Sequence, residues 1–207
     1  MKLNLALAAF AAAAACALPA SAASVVDFNE FTTRVGNDGI GTSFESGGFR
    51  FDYSGASQFW VFGNALNADP GGATIRAADR GITTVRKLDG GRFDLISLDF
   101  ADQNNWGLSN TVEFTFFDGK ETTTESFTLD TLVGLETAVF NRQNLVWFSF
   151  QAAQLASPQF DNMAWSESAV SAVPEPAAWA LMITGFAGAG MALRRQRRGG
   201  QAALAAV

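Results

Sequence analysis

The sequence contains no histidine and a single cysteine, Cys16, among its 207 residues. Without histidine there is no Ser-His-Asp or Cys-His nucleophile pair and no histidine-ligated zinc or haem. Because Cys16 falls in a segment that we expect to be removed on export, the mature protein would hold no thiol and no disulfide. Basic residues are also scarce. The 14 Lys and Arg face 20 Asp and Glu, a formal net charge of −6 that disfavours nucleic acid as a partner.

The N-terminus has the pattern of an export signal. Lys2 gives a charged start, an apolar run extends to Leu18, and Ala20-Ser21-Ala22 supplies a small-residue cleavage site. We predict a cleaved signal peptide over residues 1–22 and export through the inner membrane. The alternative is an N-terminal membrane anchor, which is disfavoured because Pro19 closes the run and no basic cluster follows it.

A second apolar segment lies near the C-terminus, between a proline-rich motif and a basic cluster. Residues 177–193 are uncharged and would be about 26 Å long as a helix, at the short end of the range that spans a bilayer. We predict a transmembrane helix there, followed by a short disordered tail over 199–207. The basic cluster would remain on the cytoplasmic side and leave the middle of the chain outside. It consists of Arg194, Arg195, Arg197 and Arg198.

Residues 173–198 resemble the PEP-CTERM sorting signal, in the variant that has Trp-Ala after the motif. The resemblance is carried by Pro174-Glu175-Pro176, by Trp179-Ala180 and by the arginine cluster, in that order. It implies recognition by an exosortase, a membrane-embedded transpeptidase-like protease of Gram-negative bacteria. Cleavage near the motif and transfer to the cell surface or the exopolysaccharide matrix would follow. The tail 199–207 departs from the usual pattern, and an ordinary C-terminal membrane anchor is the alternative.

The middle of the chain, residues 23–172, suits one domain, and its nineteen acidic residues outnumber nine basic ones. Short segments with period-two alternation are separated by Gly-rich turns such as 37–39, and Asp118-Gly119 is typical of a hairpin turn. These patterns predict an all-β fold, a single antiparallel β-sandwich of the jelly-roll type. The predicted strands are 25–28, 48–53, 59–62, 73–76, 82–85, 94–100, 111–116, 124–129, 136–140, 144–150 and 160–165.

Two of these strands predict which side chains face the core. Alternation places Ile96, Leu98 and Phe100 on one face of their strand, and it does the same for Val146, Phe148 and Phe150. We further expect Trp60 and Trp147 to lie in the core, because both are embedded in apolar strand segments.

The first and last predicted strands resemble those of secreted bacterial jelly-roll domains that are similar to carbohydrate-binding modules. The residues concerned are Val25-Val26-Asp27-Phe28 and Phe160-Asp161-Asn162-Met163. Such domains often carry a structural calcium ion beside these two strands, which are commonly neighbours. Neighbouring carboxylates repel unless they are protonated or bridged, and a hard cation with oxygen ligands resolves the conflict. The predicted ligands are Asp27, Glu30, Asp38 and Asp161, whereas the alternative is that Asp161 and Asn162 cap turns or face water.

Trp106 is the aromatic residue that is best placed to bind a ligand. It lies in a polar segment between two strands, where its ring could stack on a sugar while Asn104 and Asn105 bind hydroxyl groups. The alternative is a tryptophan folded back over one end of the core. Catalysis would have to rely on carboxylates alone, such as Asp94 with Asp99, and no motif singles out a pair.

The sequence therefore predicts an exported, non-catalytic protein of the cell surface or extracellular matrix that binds exopolysaccharide. Two other functions remain open. One is a secreted carboxylate-dependent glycoside hydrolase or lyase, and the other is a purely structural component of adhesion or biofilm.

Overall fold

The computed structural model describes residues 22–31, 37–63, 67–77, 80–153, 158–168, 182–191 and 194. The chain divides into two compact units, Met1–Ser171 and Ala172–Val207. The described part of the first unit is built from β-strands and one 3-10 turn, Asn29–Phe31. The strands are β1 (Ser24–Val26), β2 (Asn37–Gly41), β3 (Ser43–Ser46), β4 (Phe49–Tyr53), β5 (Phe59–Phe62), β6 (Thr74–Ala77), β7 (Thr83–Lys87), β8 (Phe93–Ala101), β9 (Thr111–Phe117), β10 (Thr122–Thr128), β11 (Glu136–Leu145), β12 (Trp147–Ala152) and β13 (Gln159–Glu167).

These strands form two antiparallel sheets. Sheet A has seven strands in the order β11-β8-β13-β6-β5-β2, with β1 also paired to β13, and sheet B has six in the order β10-β9-β12-β7-β4-β3. The predicted hairpin at Asp118-Gly119 joins β9 to β10, where the Asp118 carboxylate accepts hydrogen bonds from Lys120 N and Glu121 N, both at 2.8 Å. The prediction of an all-β antiparallel sandwich is confirmed.

Phenylalanine dominates the core between the two sheets. The chain has 19 phenylalanines, and many of their rings meet edge to face, as aromatic quadrupoles favour. Phe100 of sheet A lies 5.5 Å from Phe114 of sheet B, and Phe160 lies 5.1 Å from Phe150, in both cases between ring centroids. Phe160 is fully buried in the middle of this network. Apolar alternation therefore fixes the inner faces of the two sheets.

The structure corrects two sequence predictions. The segment Asn37-Asp38-Gly39 was predicted as a turn but belongs to β2, since its backbone pairs with β5, Asp38 being opposite Val61. Strand formation here depends on a distant partner rather than on local turn propensity.

In β8, the prediction that Ile96 faces the core with Leu98 and Phe100 is wrong. Leu95 and Leu98 are both fully buried, whereas Ile96 is half-buried. Alternation breaks because the pairing of β8 with β13 shifts register near Asn162, whose φ is 49°.

The second unit is described only over residues 182–191 and 194. Residues 182–191 are helical and exposed. They fall within the predicted transmembrane helix 177–193, but among the described residues we find no helix with the length and apolarity that crossing a membrane requires. The signal peptide up to Ser21, the motif Pro174-Glu175-Pro176 and Trp179 lie outside the described residues, as do Arg195, Arg197, Arg198 and the tail 199–207.

Candidate functional site

Sheet B leaves one of its faces open to solvent. Inward residues of β9 and β12, such as Phe114 and Phe148, are buried, while the alternating residues are half-buried or exposed, apart from Ser149. Alternation along neighbouring strands brings the outward residues into rows that cross the sheet. We call this surface the outer face of sheet B.

An aromatic pair lies on this face. Trp147 of β12 is directly opposite Phe117 of β9, with ring centroids 5.4 Å apart and planes inclined by 31°. Both side chains are half-buried and neither belongs to the buried core, so the prediction that Trp147 lies in the core is wrong. The sequence pattern could have indicated this orientation, because the alternation that buries Phe148 and Phe150 places Trp147 on the opposite face.

A row of ion-paired side chains continues the outer face from the aromatic pair towards β3. Asp52 accepts from Arg50 Nε at 2.9 Å and from Arg86 Nη2 at 2.5 Å, and Glu45 lies 3.8 Å from Arg50. Burial opposes ionisation of Asp52, but hydrogen bonds from Arg50 and Ser43, together with the charge of Arg86, hold its pKa below the usual value. The charges in this row therefore compensate one another.

A groove of about 520 Å³ lies at the other end of the outer face. Along β12, Gln151 is four residues from Trp147, about 13 Å at the rise of an extended strand. Gln151 Nε2 donates to Glu113 Oε2 at 3.1 Å. A second hollow of similar size, bordered by Arg80, continues the groove and shares Ile82 and Gln151 with it. The polar side chains that line the groove are Glu113, Thr115, Thr124, Glu125, Ser126, Ser149 and Gln151.

The predicted ligand residue Trp106 lies on the loop between β8 and β9. Its side chain is 65% exposed, so the tryptophan is not folded over the core. The loop is organised by the buried carboxylate of Asp102, which accepts from the backbone N–H groups of Asn104 (2.9 Å), Gly107 (2.6 Å) and Leu108 (3.0 Å). Burial opposes ionisation, but these hydrogen bonds together keep the pKa of Asp102 below its usual value.

The two asparagines beside Trp106, which were predicted to bind sugar hydroxyls, belong to the same loop. Asn105 Oδ1 accepts from Gly134 N at 2.5 Å, which ties the loop to the segment between β10 and β11. The role of Asn105 in binding a sugar stays a prediction. Asn104 is half-buried beside Trp106, with its backbone held by Asp102.

A buried carboxylate marks the junction of the terminal strands. Asp161 of β13 is fully buried, and its Oδ1 accepts from Asn162 N at 2.7 Å, but its Oδ2 has no hydrogen-bond partner. Burial, followed by the charges of Asp69, Asp99 and Asp27, raises the pKa of Asp161 to about 8. An unpartnered buried oxygen is costly unless it is protonated or bound by a cation.

The first and last strands are neighbours, as predicted. In β1, Val26 pairs with Met163 of β13, which brings Asp27 towards Asp161. Asp69 and Asn29 also converge here, since a Cβ at Gly72 would collide with oxygens of both side chains.

Not all of the predicted metal ligands join this acidic cluster, which consists of Asp27, Asp69, Asp99 and Asp161. Glu30 is exposed in the 3-10 turn, and Asp38 lies on β2, three strands from β13, or about 14 Å at the spacing of paired strands. Within the described ranges, no group of three or more acidic, histidine or cysteine side chains is arranged to hold a metal ion. Calcium binding stays a prediction.

No protein-family model matches this chain, and no curated protein matches it. Several solved structures are similar to it. The family 29 carbohydrate-binding module CBM29_1 from Piromyces equi has a TM-score of 0.43 and 12% identity, covering 75% of this chain and 97% of that one. The family 11 module from Clostridium thermocellum, in complex with a mixed-linked tetrasaccharide, has a TM-score of 0.34 and 14% identity, covering 65% and 98%.

A third similar structure contains the CBM22-1 and GH10 modules of the Clostridium thermocellum xylanase Xyn10B, in complex with xylohexaose. Its TM-score is 0.37 at 16% identity, covering 64% of this chain and 28% of that one. With identities below 25% and TM-scores below 0.5, these similarities do not establish a shared ligand or activity.

Proposed function

We propose that residues 23–172 form a non-catalytic, carbohydrate-binding-module-like domain of the jelly-roll type, which binds exopolysaccharide on the outer face of sheet B. The observation that carries the proposal is the solvent-facing pair of Trp147 and Phe117 on the same face as a polar groove. Aromatic rings bind the apolar faces of sugars, and a few well-placed polar groups fix orientation.

The polar groups of this face suit hydroxyl-rich ligands. By strand register, Thr124, Thr115 and Ser149 follow one another across the sheet and line the groove. Their hydroxyls can each donate and accept, as sugar hydroxyls require. The charges of the two arginines, Arg50 and Arg86, are compensated by those of Asp52 and Glu45, so this part of the face favours polar contact over charge attraction.

The alternative, a glycoside hydrolase, is less well supported by the same groove. Two acidic residues line it, Glu113 and Glu125, but they lie on opposite faces of sheet B, and Glu125 is paired with Arg142 at 2.8 Å. A hydrolase needs two carboxyl groups that flank one glycosidic bond. Assaying the protein for release of reducing sugar from a polysaccharide panel tests this alternative directly, and release that is lost in Glu113→Gln would establish it.

Binding to a glycan array by the wild type and by Trp147→Ala tests the proposal. We expect the substitution to reduce binding about tenfold or more, as is typical when an aromatic anchor is removed. Val139→Ala is the control, since Val139 is an exposed apolar residue of β11 in sheet A. Equal binding by Trp147→Ala and the wild type, with both folded, would remove the outer face of sheet B as the site.

We also propose that a divalent cation such as calcium stabilises the junction of the terminal strands. Support comes from the unpartnered Oδ2 of Asp161 and from the carboxylates around it. Asp161 and Asp27 would supply oxygen ligands, and the ion would neutralise charges that otherwise repel. Calorimetric titration of chelator-treated protein with Ca²⁺ tests this. Absence of both heat and thermal stabilisation would exclude it.

For localisation, we propose export and exosortase-dependent sorting to the cell surface or matrix of a Gram-negative bacterium. The support is the order of Pro174-Glu175-Pro176, the apolar residues 177–193 and the arginines that follow. Residues 177–193 would lie in the inner membrane before processing. Intact-mass spectrometry of the protein from its host tests the proposal. A mass that ends near Pro176 supports sorting, whereas a chain that retains 177–207 would mean a plain anchor.

A further inference from the structure

Two loops at one end of the sandwich present a cluster of exposed apolar side chains. Trp106 and Leu108 lie between β8 and β9, and Leu132 and Val133 lie between β10 and β11; all four are between 56% and 68% exposed. We call these four residues the loop platform. The loops are adjacent, because a Cβ at Gly107 would lie 2.5 Å from Thr131 O. Exposed apolar side chains grouped on neighbouring loops can form an interaction site.

The loop platform is held in a fixed conformation. Asp102 anchors the first loop by three backbone hydrogen bonds, and Asn105 Oδ1 joins it to Gly134 N of the second. Three residues here have positive φ: Asn105 at 54°, Gly107 at 71° and Gly134 at 107°. Asparagine and glycine are the residues that adopt this conformation most readily, so the sequence suits these turns. A rigid platform binds without the entropic cost of ordering its loops.

The loop platform lies at the end of the sandwich opposite to the C-terminal end of β13. β13 ends at Glu167, opposite Phe93, whereas the loop that carries Trp106 begins after Ala101, at the other end of β8. The two ends are about 26 Å apart at the rise of an extended strand.

The surrounding charges restrict the partner. The segments 102–110 and 129–136 contain no Lys or Arg, and Asp130 N donates to the Glu136 carboxylate at 3.0 Å. Burial, and then the neighbouring Asp130, raise the pKa of Glu136 above its usual value, as expected where acidic groups crowd. Polyanions and anionic lipid would be repelled, and so would a second copy that brings the same acidic groups.

We propose that the loop platform is a second carbohydrate contact, which binds the apolar face of a neutral polysaccharide already held on the outer face of sheet B. The inference rests on the proposed function. Ala152 lies at the end of β12 that is near the loops, five residues from Trp147, or about 17 Å at the rise of an extended strand. A polymer can therefore contact both surfaces at once, whereas a short oligosaccharide can contact only one. Linking two weak contacts through one ligand raises the overall affinity.

The test compares polymer and oligosaccharide binding by the full chain. The variants are Trp106→Ala, Trp147→Ala and the double substitution, with Val139→Ala as the control. Affinity electrophoresis uses galactomannan, xyloglucan and mixed-linked β-glucan, with alginate as the polyanion. We expect Trp106→Ala to weaken binding to a neutral polymer about tenfold or more. In calorimetry with a tetrasaccharide of that polymer, the wild type should bind two molecules and the variant one. Trp106→Phe should restore part of the affinity, because it keeps an aromatic face.

The outcomes separate this inference from the proposed function. If only Trp147→Ala weakens binding, the loop platform is excluded and the outer face of sheet B remains the site. If only Trp106→Ala does so, the platform is a carbohydrate site and the outer face fails. A wild type that binds none of the neutral polymers overturns both, and alginate binding of equal strength overturns the assignment to neutral polysaccharide. Self-association that Trp106→Ala abolishes, without an effect on carbohydrate, would assign the platform to a second copy instead.

Discussion

Raising the pH from 5 to 8.5 in chelator is expected to destabilise the sandwich, chiefly through Asp161. This carboxyl group is fully buried beside Asp27, Asp69 and Asp99, and its Oδ2 has no hydrogen-bond partner. Its pKa of about 8 in the folded protein lies far above the ordinary value of 3.8 that it has when the chain is unfolded. Between these two pKa values the folded state binds more protons than the unfolded state.

The sign and the size of the effect follow from linkage. Because the folded pKa is raised, stability is greatest at low pH and falls as the pH rises from 3.8 towards 8. From pH 5 to pH 8.5 the loss in free energy of unfolding is about 4 kcal/mol, at about 1.4 kcal/mol per pH unit until the folded group ionises. For a domain of this size, that corresponds to a fall in melting temperature of about 10 °C.

Urea denaturation at several pH values, followed by tryptophan fluorescence, measures this loss. The comparison is with Asp161→Asn, which keeps the acceptor for Asn162 N but cannot ionise. We expect the variant to lose less than about 1 kcal/mol over the same range and to be more stable than the wild type at pH 8.5 in chelator. If the two proteins lose stability in parallel, the buried carboxyl of Asp161 is not the cause. Added Ca²⁺ should restore the wild type and leave the variant unchanged, provided that the proposed cation binds here.

Three further predictions concern the core and the loops. Phe160→Ala should lower the free energy of unfolding by about 3–5 kcal/mol in urea titrations, because a fully buried ring at the centre of the aromatic network is removed. A loss below about 1 kcal/mol would contradict the central position of Phe160 in the core. Asp102→Ala should accelerate amide hydrogen exchange at Gly107 and Leu108, which lose their acceptor, and unchanged exchange would show that the loop is held by other contacts. Lys87→Met should lower the melting temperature, since the buried ammonium donates to Glu167 at 2.6 Å and anchors the end of β13. A stabilised variant would mean that the desolvation cost of the ammonium outweighs this pairing.

Much of the fold could be predicted from alternation in the sequence. The strand Phe59–Phe62 and the hairpin at Asp118-Gly119 are present as predicted, because local patterning and turn chemistry determine both. Strands such as β2 were missed, since Asn37-Asp38-Gly39 has turn propensity and pairs only when β5 is beside it. The inward face of β8 was predicted wrongly at Ile96, because its partner strand shifts register where Asn162 has positive φ.

The candidate sites divide in the same way. The sequence drew attention to Trp106 and Asp161, and the structure places the first on an exposed loop and the second at the junction of the terminal strands. It did not predict the pairing of Trp147 with Phe117, which depends on the register of β12 against β9. Nor did it predict that Asp69 comes close to Asp161, since about 90 residues of chain separate them.

The sequence by itself determined the β-rich class, the phenylalanine core and the absence of histidine and thiol chemistry in residues 23–172. It also predicts the two terminal signals, because composition, period-two alternation and short linear motifs are local properties. Only the tertiary structure decided which outward side chains meet on sheet B, which loops join to form the platform and which carboxylates surround Asp161. These juxtapositions arise from strand order and register, which are set by packing between distant segments rather than by any local pattern.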